Sequence, residues 1–298
     1  MSAFGDVPLP DDIVGSRYKL ERPLGSGGRG LVFLARDLVT ESPVALKLVR
    51  ERRYGHRLLF EAQLLARLAP LEAVCRLLDC GEHSDGRPFI VIEWIDGKPI
   101  DRMALTINDI LTISMIICRA LAKLHILGYL HRDVKPTNVV VPIEGSEARV
   151  AGAKLIDFDL ARPMFEMCSD GQSKPLFGRT GGTADYMAPE QLTGRHQTAA
   201  TDIYGLGATM FSLLYQRPIQ PTGNVEQAHF ADVGLPTPFI GAYVVRRLTE
   251  EIVVPVDESV PRELQFLLSR MLRIDSRERP SSIADVQEVL GGLANSPG

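Results

Sequence analysis

Tryptophan occurs once in this 298-residue sequence, cysteine four times, and aromatic residues make up only 6% of it. The cysteines are Cys75, Cys80, Cys118 and Cys168, and their spacing matches no zinc pattern. With no secretory signal alongside, they are read as reduced thiols. A basic excess is also lacking. Thirty-three Lys and Arg stand against 37 Asp and Glu, for a net charge of -4. That argues against a nucleic-acid binder held by phosphate contacts, although a local basic groove stays open. No apolar run is clean enough for a membrane span. The longest, "INDILTISMIICRALAKLHILGYL", is interrupted by Asn108, Asp109, Arg119, Lys123 and His125, and it reads as a buried helix. The opening "MSAFGDVPLPDD" has neither a basic nor an apolar stretch, so no signal peptide and a cytoplasmic location are expected. No repeat or low-complexity segment stands out.

What is present is a composition that is 45% hydrophobic. At this length it suffices for one large domain or two lobes. Short apolar runs alternate with turns over the first hundred residues. "YKLERPLGSG", "GLVFLARDL", "SPVALKLVR" and "RPFIVIEWI" are predicted strands. "RLLFEAQLLARL" (57–68) interrupts them with helical spacing at Leu58, Phe60, Glu61, Leu64, Leu65 and Leu68. After "IDGKP" the pattern becomes helical. Thr106 and Asp109 form a predicted capping box ahead of an apolar stripe from Ile107 to Leu124. "TDIYGLGATMFSLLYQ", "PRELQFLLSRMLR" and "SSIADVQEVL" predict further helices. The expected fold class is therefore α+β. A mostly antiparallel sheet with one helix occupies 1–96, and a mainly helical part occupies 97–298. Asp96, Gly97 and Pro99 are predicted to form the turn between them, and the tail "GGLANSPG" is expected to fray.

Four stretches carry chemistry. "LGSGGRGLVFLAR" reads G-x-G-x-x-G-x-V over Gly25, Gly27, Gly30 and Val32. Glycines let backbone N–H groups approach phosphate oxygens. Taken alone, though, such a run is more commonly a hairpin turn with no ligand. It is not a Walker loop, because no Gly-Lys-Ser/Thr follows, and a strand rather than a dinucleotide-fold helix comes next. In "VALKLV", Lys47 shares a strand face with Ala45. It is either a snorkelling surface lysine or an ammonium for phosphates, with Glu61 as its natural carboxylate partner. "HRDVKPTN" gathers Asp133, Lys135 and Asn138, able respectively to orient a hydroxyl, neutralise a phosphoryl group and ligate a divalent cation. Asp157, after the apolar run of "KLIDFDLAR", is a second oxygen donor. Phosphoryl transfer depends mainly on positioning and charge neutralisation, and this inventory suffices for it.

The ordered set G-x-G-x-x-G-x-V, V-A-L-K, H-R-D-V-K-P-T-N, D-F-D, G-T-A-D-Y-M-A-P-E and D-I-Y-G-L-G resembles the eukaryotic-type (Hanks-type) serine/threonine protein kinase family, in a compact layout of bacterial kind. The resemblance covers about Tyr18 to Leu290 and implies a bilobal kinase fold using ATP with Mg²⁺, or Mn²⁺ in its place. It implies that Leu24, Gly25, Ser26, Gly27, Gly28, Arg29 and Gly30 cover the ATP phosphates, and that Lys47 holds the α- and β-phosphates while paired with Glu61. Val32, Ala45 and Val140 would sandwich adenine, which Glu93 and Ile95 would meet through backbone groups, with Ile92 behind. Asp133 would be the catalytic base, assisted by Lys135, and Asn138 and Asp157 would hold the metal. Lys135 and Thr183 point to Ser/Thr acceptors. Arg132 marks an activation segment ordered by phosphorylation, with Thr180 the preferred site and Thr183, Ser173 and Ser169 further candidates. Trans-autophosphorylation would need a transient homodimer. Glu190 and Arg279 resemble the family's buried structural ion pair.

Two departures stand out. Asp159 replaces the usual glycine of D-F-G. Aspartate tolerates left-handed backbone better than most residues, so metal ligation by Asp157 should survive. The flipping of Phe158 and the ion preference are then the open points. Residues 218–255 do not resemble the family's corresponding segment. There Phe239, Ile240, Tyr243, Val244 and Val245 are expected to pack, or else to form a docking patch. A pseudokinase scaffold and a small-molecule kinase of related fold remain the alternatives. The A-P-E segment, which shapes a groove for polypeptide, weighs against the second.

Overall fold

The computed structural model describes residues 8–26, 30–164, 183–219 and 246–295. The chain forms two compact units. One runs to Asp96 and takes in Ile156–Asp159; the other comprises Gly97–Leu155 and the chain from Leu160 onward.

The first unit is built on an antiparallel sheet. In chain order its strands are β1 (Ile13–Val14), β2 (Tyr18–Ser26), β3 (Gly30–Asp37), β4 (Pro43–Val49), β5 (Leu77–Glu82) and β6 (Pro88–Glu93). They lie side by side as β1-β2-β3-β4-β6-β5. Alternation explains the sheet. Leu31, Phe33 and Ala35 of β3 are buried while the residues between them are partly exposed. With Val14, Tyr18, Leu20, Leu46, Leu48, Phe89 and Val91 they form one apolar core. Gly81 is needed where it stands, because a Cβ there would lie 2.7 Å from the Phe89 ring. Helix α1 (Gly55–Leu68) packs on β6 and β5 through Leu58, Leu64, Leu65 and Leu68, and the buried Glu61 shares that face.

The second unit is mainly helical. Helix α2 (Ile107–Ile126) begins at the capping box of Thr106 and Asp109. The Asp109 N–H donates to Thr106 Oγ1 (3.2 Å), and the Thr106 N–H donates to Asp109 Oδ2 (2.9 Å). Then come α3 (Pro189–Thr193), α4 (Ala199–Tyr215), α5 (Arg262–Met271) and α6 (Ile283–Ala294). Helix α2 packs against α6 and α4, and α5 against α4 and α6. Short strands β7 (Gly97–Pro99), β9 (Val139–Glu144), β10 (Glu147–Ala148) and β11 (Lys154–Leu155) form a second sheet around β9, and β8 (Tyr129–Leu130) pairs with β12 (Arg162–Pro163). No helix among the described residues is long and apolar enough to cross a membrane.

Several expectations need correction. Gly97–Pro99 is not a turn; it pairs with Val140–Pro142, because the β9 valines offer a free antiparallel edge. The tail does not fray at Gly291. Helix α6 continues to Ala294, since its Leu290 is fully buried and packing on α2 outweighs the cost of two glycines. Strand β5 was not predicted; Asp79 and Gly81 break its apolar pattern. The left-handed residue near the D-F-D motif is Asp157 (φ 63°), and Asp159 has no positive φ.

Candidate active site

Lys47 lies on β4 with Val32 opposite it on β3 and Ile90 opposite it on β6, and its ammonium emerges from a strand whose neighbours are apolar. Its Nζ donates to Glu61 Oε2 at 2.8 Å, to Glu61 Oε1 at 3.0 Å and to Asp157 Oδ1 at 2.8 Å. Glu61 Oε1 also accepts the Phe158 N–H at 3.2 Å, which fastens the D-F-D backbone to α1. Phe158 is buried beside it. The sequence offers Glu61 either as the partner of Lys47 or as a solvent-facing helix residue, and at 2% exposure it is the buried partner. Only the fold supplies that burial.

The electrostatics follow from these distances. One ammonium is shared between two carboxylates, and Asp159 acts on it as well. Burial disfavours the charged form of Lys47, but Asp157 and Glu61 outweigh it and hold the ammonium above its ordinary range. Glu61 goes the other way from the usual ion-pair partner. Burial pushes its carboxyl up to about 7; the pull of Lys47 opposes this, and Asp157 and Asp159 add to the rise. The two shifts look contradictory only if the pair is taken alone. With three carboxylates around one lysine, negative charge is in excess, and an added cation is the natural balance.

Of the expected nucleotide residues, Leu24, Gly25 and Ser26 end β2, Gly30 and Val32 lie on β3, and Ala45 lies on β4 opposite Ile92 of β6. Gly27, Gly28 and Arg29 lie outside the described residues. The Glu93 backbone N–H donates to Arg76 O (2.9 Å), and its Oε1 accepts the Arg76 N–H (2.8 Å). Ile95 follows the end of β6.

In the second unit, the segment between β8 and β9 carries Asp133. Its Oδ2 accepts from Lys135 Nζ at 2.8 Å and from Asn138 Nδ2 at 3.0 Å, and Asn138 Nδ2 also donates to Asp133 O at 2.9 Å. The Asn138 amide nitrogen is thereby engaged, which leaves its carbonyl oxygen as the acceptor able to meet a cation. Val140 follows on β9, so the valine run after Asn138 is a strand. No group of three or more His, Cys, Asp or Glu that could hold a metal occurs among the described residues. A divalent cation here would take most of its ligands from phosphate and water, as magnesium commonly does.

The residue that holds this segment opens the D-I-Y-G-L-G motif, to which the sequence reading assigns no role. Asp202, buried in the first turns of α4, accepts the His131 N–H on Oδ2 (2.9 Å) and the Arg132 N–H on Oδ1 (2.7 Å), and His125 Nε2 lies 2.9 Å from Oδ2. Burial alone would raise its carboxyl; the bonds from His125 and the loop backbone hold it below the usual range. The signal in the sequence was a lone acid in the apolar run "TDIYGLGATMFSLLY". Arg132 adopts φ 70°, a left-handed conformation, and is tied by Nε to Gln197 Oε1 (2.6 Å) and through its carbonyl to Gln191 Nε2 (2.9 Å).

Glu190 and Arg279 meet at 2.8 and 3.0 Å in a buried bidentate pair, and Thr201 Oγ1 also donates to Glu190 Oε1 at 2.8 Å. The Arg279 guanidinium lies 4.8 Å from the Tyr204 ring centre. Thr183 opens the 3₁₀ turn Thr183–Tyr186. Ser169, Ser173, Thr180, Cys168, Phe239, Ile240, Tyr243, Val244 and Val245 lie outside the described residues.

A family model described as Protein kinase domain matches residues 18–290. The chain is 29% identical over 294 residues to Serine/threonine-protein kinase pkn3 of Myxococcus xanthus, covering 93% of this chain and 50% of that one. It is 32% identical over 298 residues to Serine/threonine-protein kinase PksC of Streptomyces coelicolor, covering 93% and 49%. It is 32% identical over 220 residues to Probable serine/threonine-protein kinase PknB of Corynebacterium glutamicum, covering 69% and 32%. The chain thus spans about half the length, or less, of these curated relatives.

Proposed function

The chain belongs to the protein kinase domain family, and from that membership we propose that it transfers the γ-phosphoryl group of ATP to serine or threonine hydroxyls of proteins. The observation that carries this reading is the Lys47 ammonium held at 2.8 Å from both Glu61 and Asp157, a prepared cation beside surplus carboxylate.

The family uses ATP with a divalent cation, and we take that cation to be Mg²⁺, with Mn²⁺ as a substitute. Asp157 and Asn138 each offer an oxygen for it, and carboxylate and amide oxygens are hard ligands of the right kind. When bound, the cation neutralises charge on the phosphates. The chain's own groups do the rest. Backbone from Leu24 to Gly30 covers the phosphates, and Lys47 binds the α- and β-phosphates. Val32, Ala45, Ile92, Glu93, Ile95 and Val140 receive the base. Asp133 holds the acceptor hydroxyl and takes its proton, in an orientation set by Lys135 and Asn138. Lys135 then offsets charge on the phosphoryl group in flight. Phosphorylation at Thr180, with Thr183, Ser173 and Ser169 as further candidates, would recruit Arg132 from Gln197. A transient homodimer serves that step in trans. The need for ATP is consistent with a cytoplasmic location.

Incubation with labelled ATP, Mg²⁺ and dephosphorylated casein, beside an Asp133→Asn variant, tests this. Transfer to Ser or Thr that falls by about 10²–10⁴ in the variant supports the reading, since that is the range for a lost general base. Nucleotide binding without transfer would instead favour a scaffold.

A further inference from the structure

Arg247 is the largest fully buried side chain described in this chain, at 1% exposure. It stands in a short helical turn at 246–249, within the region that departs from the family pattern. An arginine is almost never taken out of water unless its donors are used. Here Nη1 and Nη2 converge on one stretch of backbone. Nη2 donates to Met187 O at 2.6 Å, and Nη1 donates to Ala184 O at 3.3 Å and Asp185 O at 3.4 Å. Nη2 also donates to the Tyr204 hydroxyl at 2.9 Å, and the guanidinium carbon lies 5.5 Å from that ring's centre. Tyr204 therefore carries two arginines, Arg247 and Arg279.

The backbone so gripped borders the catalytic loop. A Cβ placed on Gly205, next to Tyr204 on α4, would lie 3.3 Å from Val134 O and 3.8 Å from Tyr186 O. Tyr186 and the residue after Asp133 thus rest on the same spot of α4. Gln191 joins the two from the other side, donating to Arg132 O and accepting the Ala188 N–H, both at 2.9 Å.

We propose that Arg247 is a positioning residue that clamps the 184–187 backbone beside Asp133, and so sets where a polypeptide acceptor is received. It touches neither ATP nor the acceptor hydroxyl in this role. The proposal rests on the kinase reading for its functional half; the clamp itself does not.

The test compares wild type with Arg247→Met and Arg247→Lys. Two readouts are taken: hydrogen exchange of the 184–188 amides, and separate KM values for ATP and for dephosphorylated casein. In Arg247→Met, exchange at 184–188 is expected to rise about tenfold or more while α2 keeps its protection. KM for casein is expected to rise about tenfold with KM for ATP within about twofold, and Arg247→Lys to recover part of both effects. Unchanged exchange at 184–188 overturns the clamp. Equal rises in both KM values overturn the acceptor role and leave only packing. If wild type transfers no phosphate, the kinase reading fails while the exchange comparison still decides the clamp. If Arg247→Met does not fold, Arg247→Lys decides: faster exchange confined to 184–188 supports the proposal, and unchanged exchange overturns it.

Discussion

Asp202 Oδ1 accepts the backbone N–H of Arg132 at 2.7 Å from 70 positions further along the chain. With the His131 N–H on its other oxygen, one carboxylate anchors the entry to the Asp133 segment and helps maintain the left-handed Arg132. Asp202→Asn keeps the shape but can accept on one atom only, so an N–H donor faces an NH₂ group. The expected loss is about 1.5–3 kcal/mol of stability, the worth of a hydrogen bond to a charged group. Urea unfolding measures it, and kcat should fall with KM for ATP nearly unchanged.

Glu61 gives a pH dependence of defined sign. Its folded carboxyl is raised from 4.5 to about 7, so the fold binds a proton that the unfolded chain releases. The stabilisation is full below the unfolded value and is lost as pH rises through about 7. Lys47→Met removes the one cation that opposes this rise, leaving Glu61 buried against Asp157 and Asp159. The variant is therefore expected to lose stability more steeply than wild type between pH 5 and 8 (about the interval spanned by the raised titration). Chemical denaturation at a series of pH values checks it. Glu61→Gln should flatten the profile.

Asp159→Gly takes away one of three carboxylates around Lys47. Divalent cation binding is expected to weaken about three- to tenfold, the scale of one charge a few ångströms away in a partly screened site. Mn²⁺ titration followed by electron paramagnetic resonance, without nucleotide, reads this directly.

Breaking the buried Glu190–Arg279 pair from one side strands a charge. Arg279→Met is expected to cost about 3–5 kcal/mol, and the Glu190→Gln/Arg279→Met double variant less than the sum of the singles. Denaturant midpoints for the four proteins complete the cycle.

Burial pushes the Cys75 and Cys118 thiols up to about 12, whereas Cys80 is exposed on β5. Only thiolate reacts with a disulfide reagent. At pH 8 Cys80 should react rapidly, and Cys75 and Cys118 only on unfolding, as mass spectrometry of labelled peptides would show.

Local rules made much of this molecule legible. Alternation marks β3 and a short apolar run marks β4, the Thr106–Asp109 spacing marks the start of α2, and the order of the motifs brings Lys47, Asp133, Asn138 and Asp157 to attention. Strand β5 was missed because its inner face carries Asp79 and Gly81 where apolar residues would be expected, and its pairing with β6 is a tertiary event. The anchoring role of Asp202, which the D-I-Y-G-L-G motif contains, and the whole part played by Arg247 escape the sequence for the same kind of reason. What makes each important is its partners, and those sit 70 and about 60 residues away.

The sequence by itself determined which groups are available and where the strongly patterned strands and helices lie, because side-chain chemistry and backbone periodicity are local properties. Only the tertiary structure decided that Glu61 is buried rather than solvated, that one lysine is shared by two carboxylates, and that Arg247 grips the backbone at 184–187. Burial and long-range hydrogen bonds arise only when distant segments exclude water from each other.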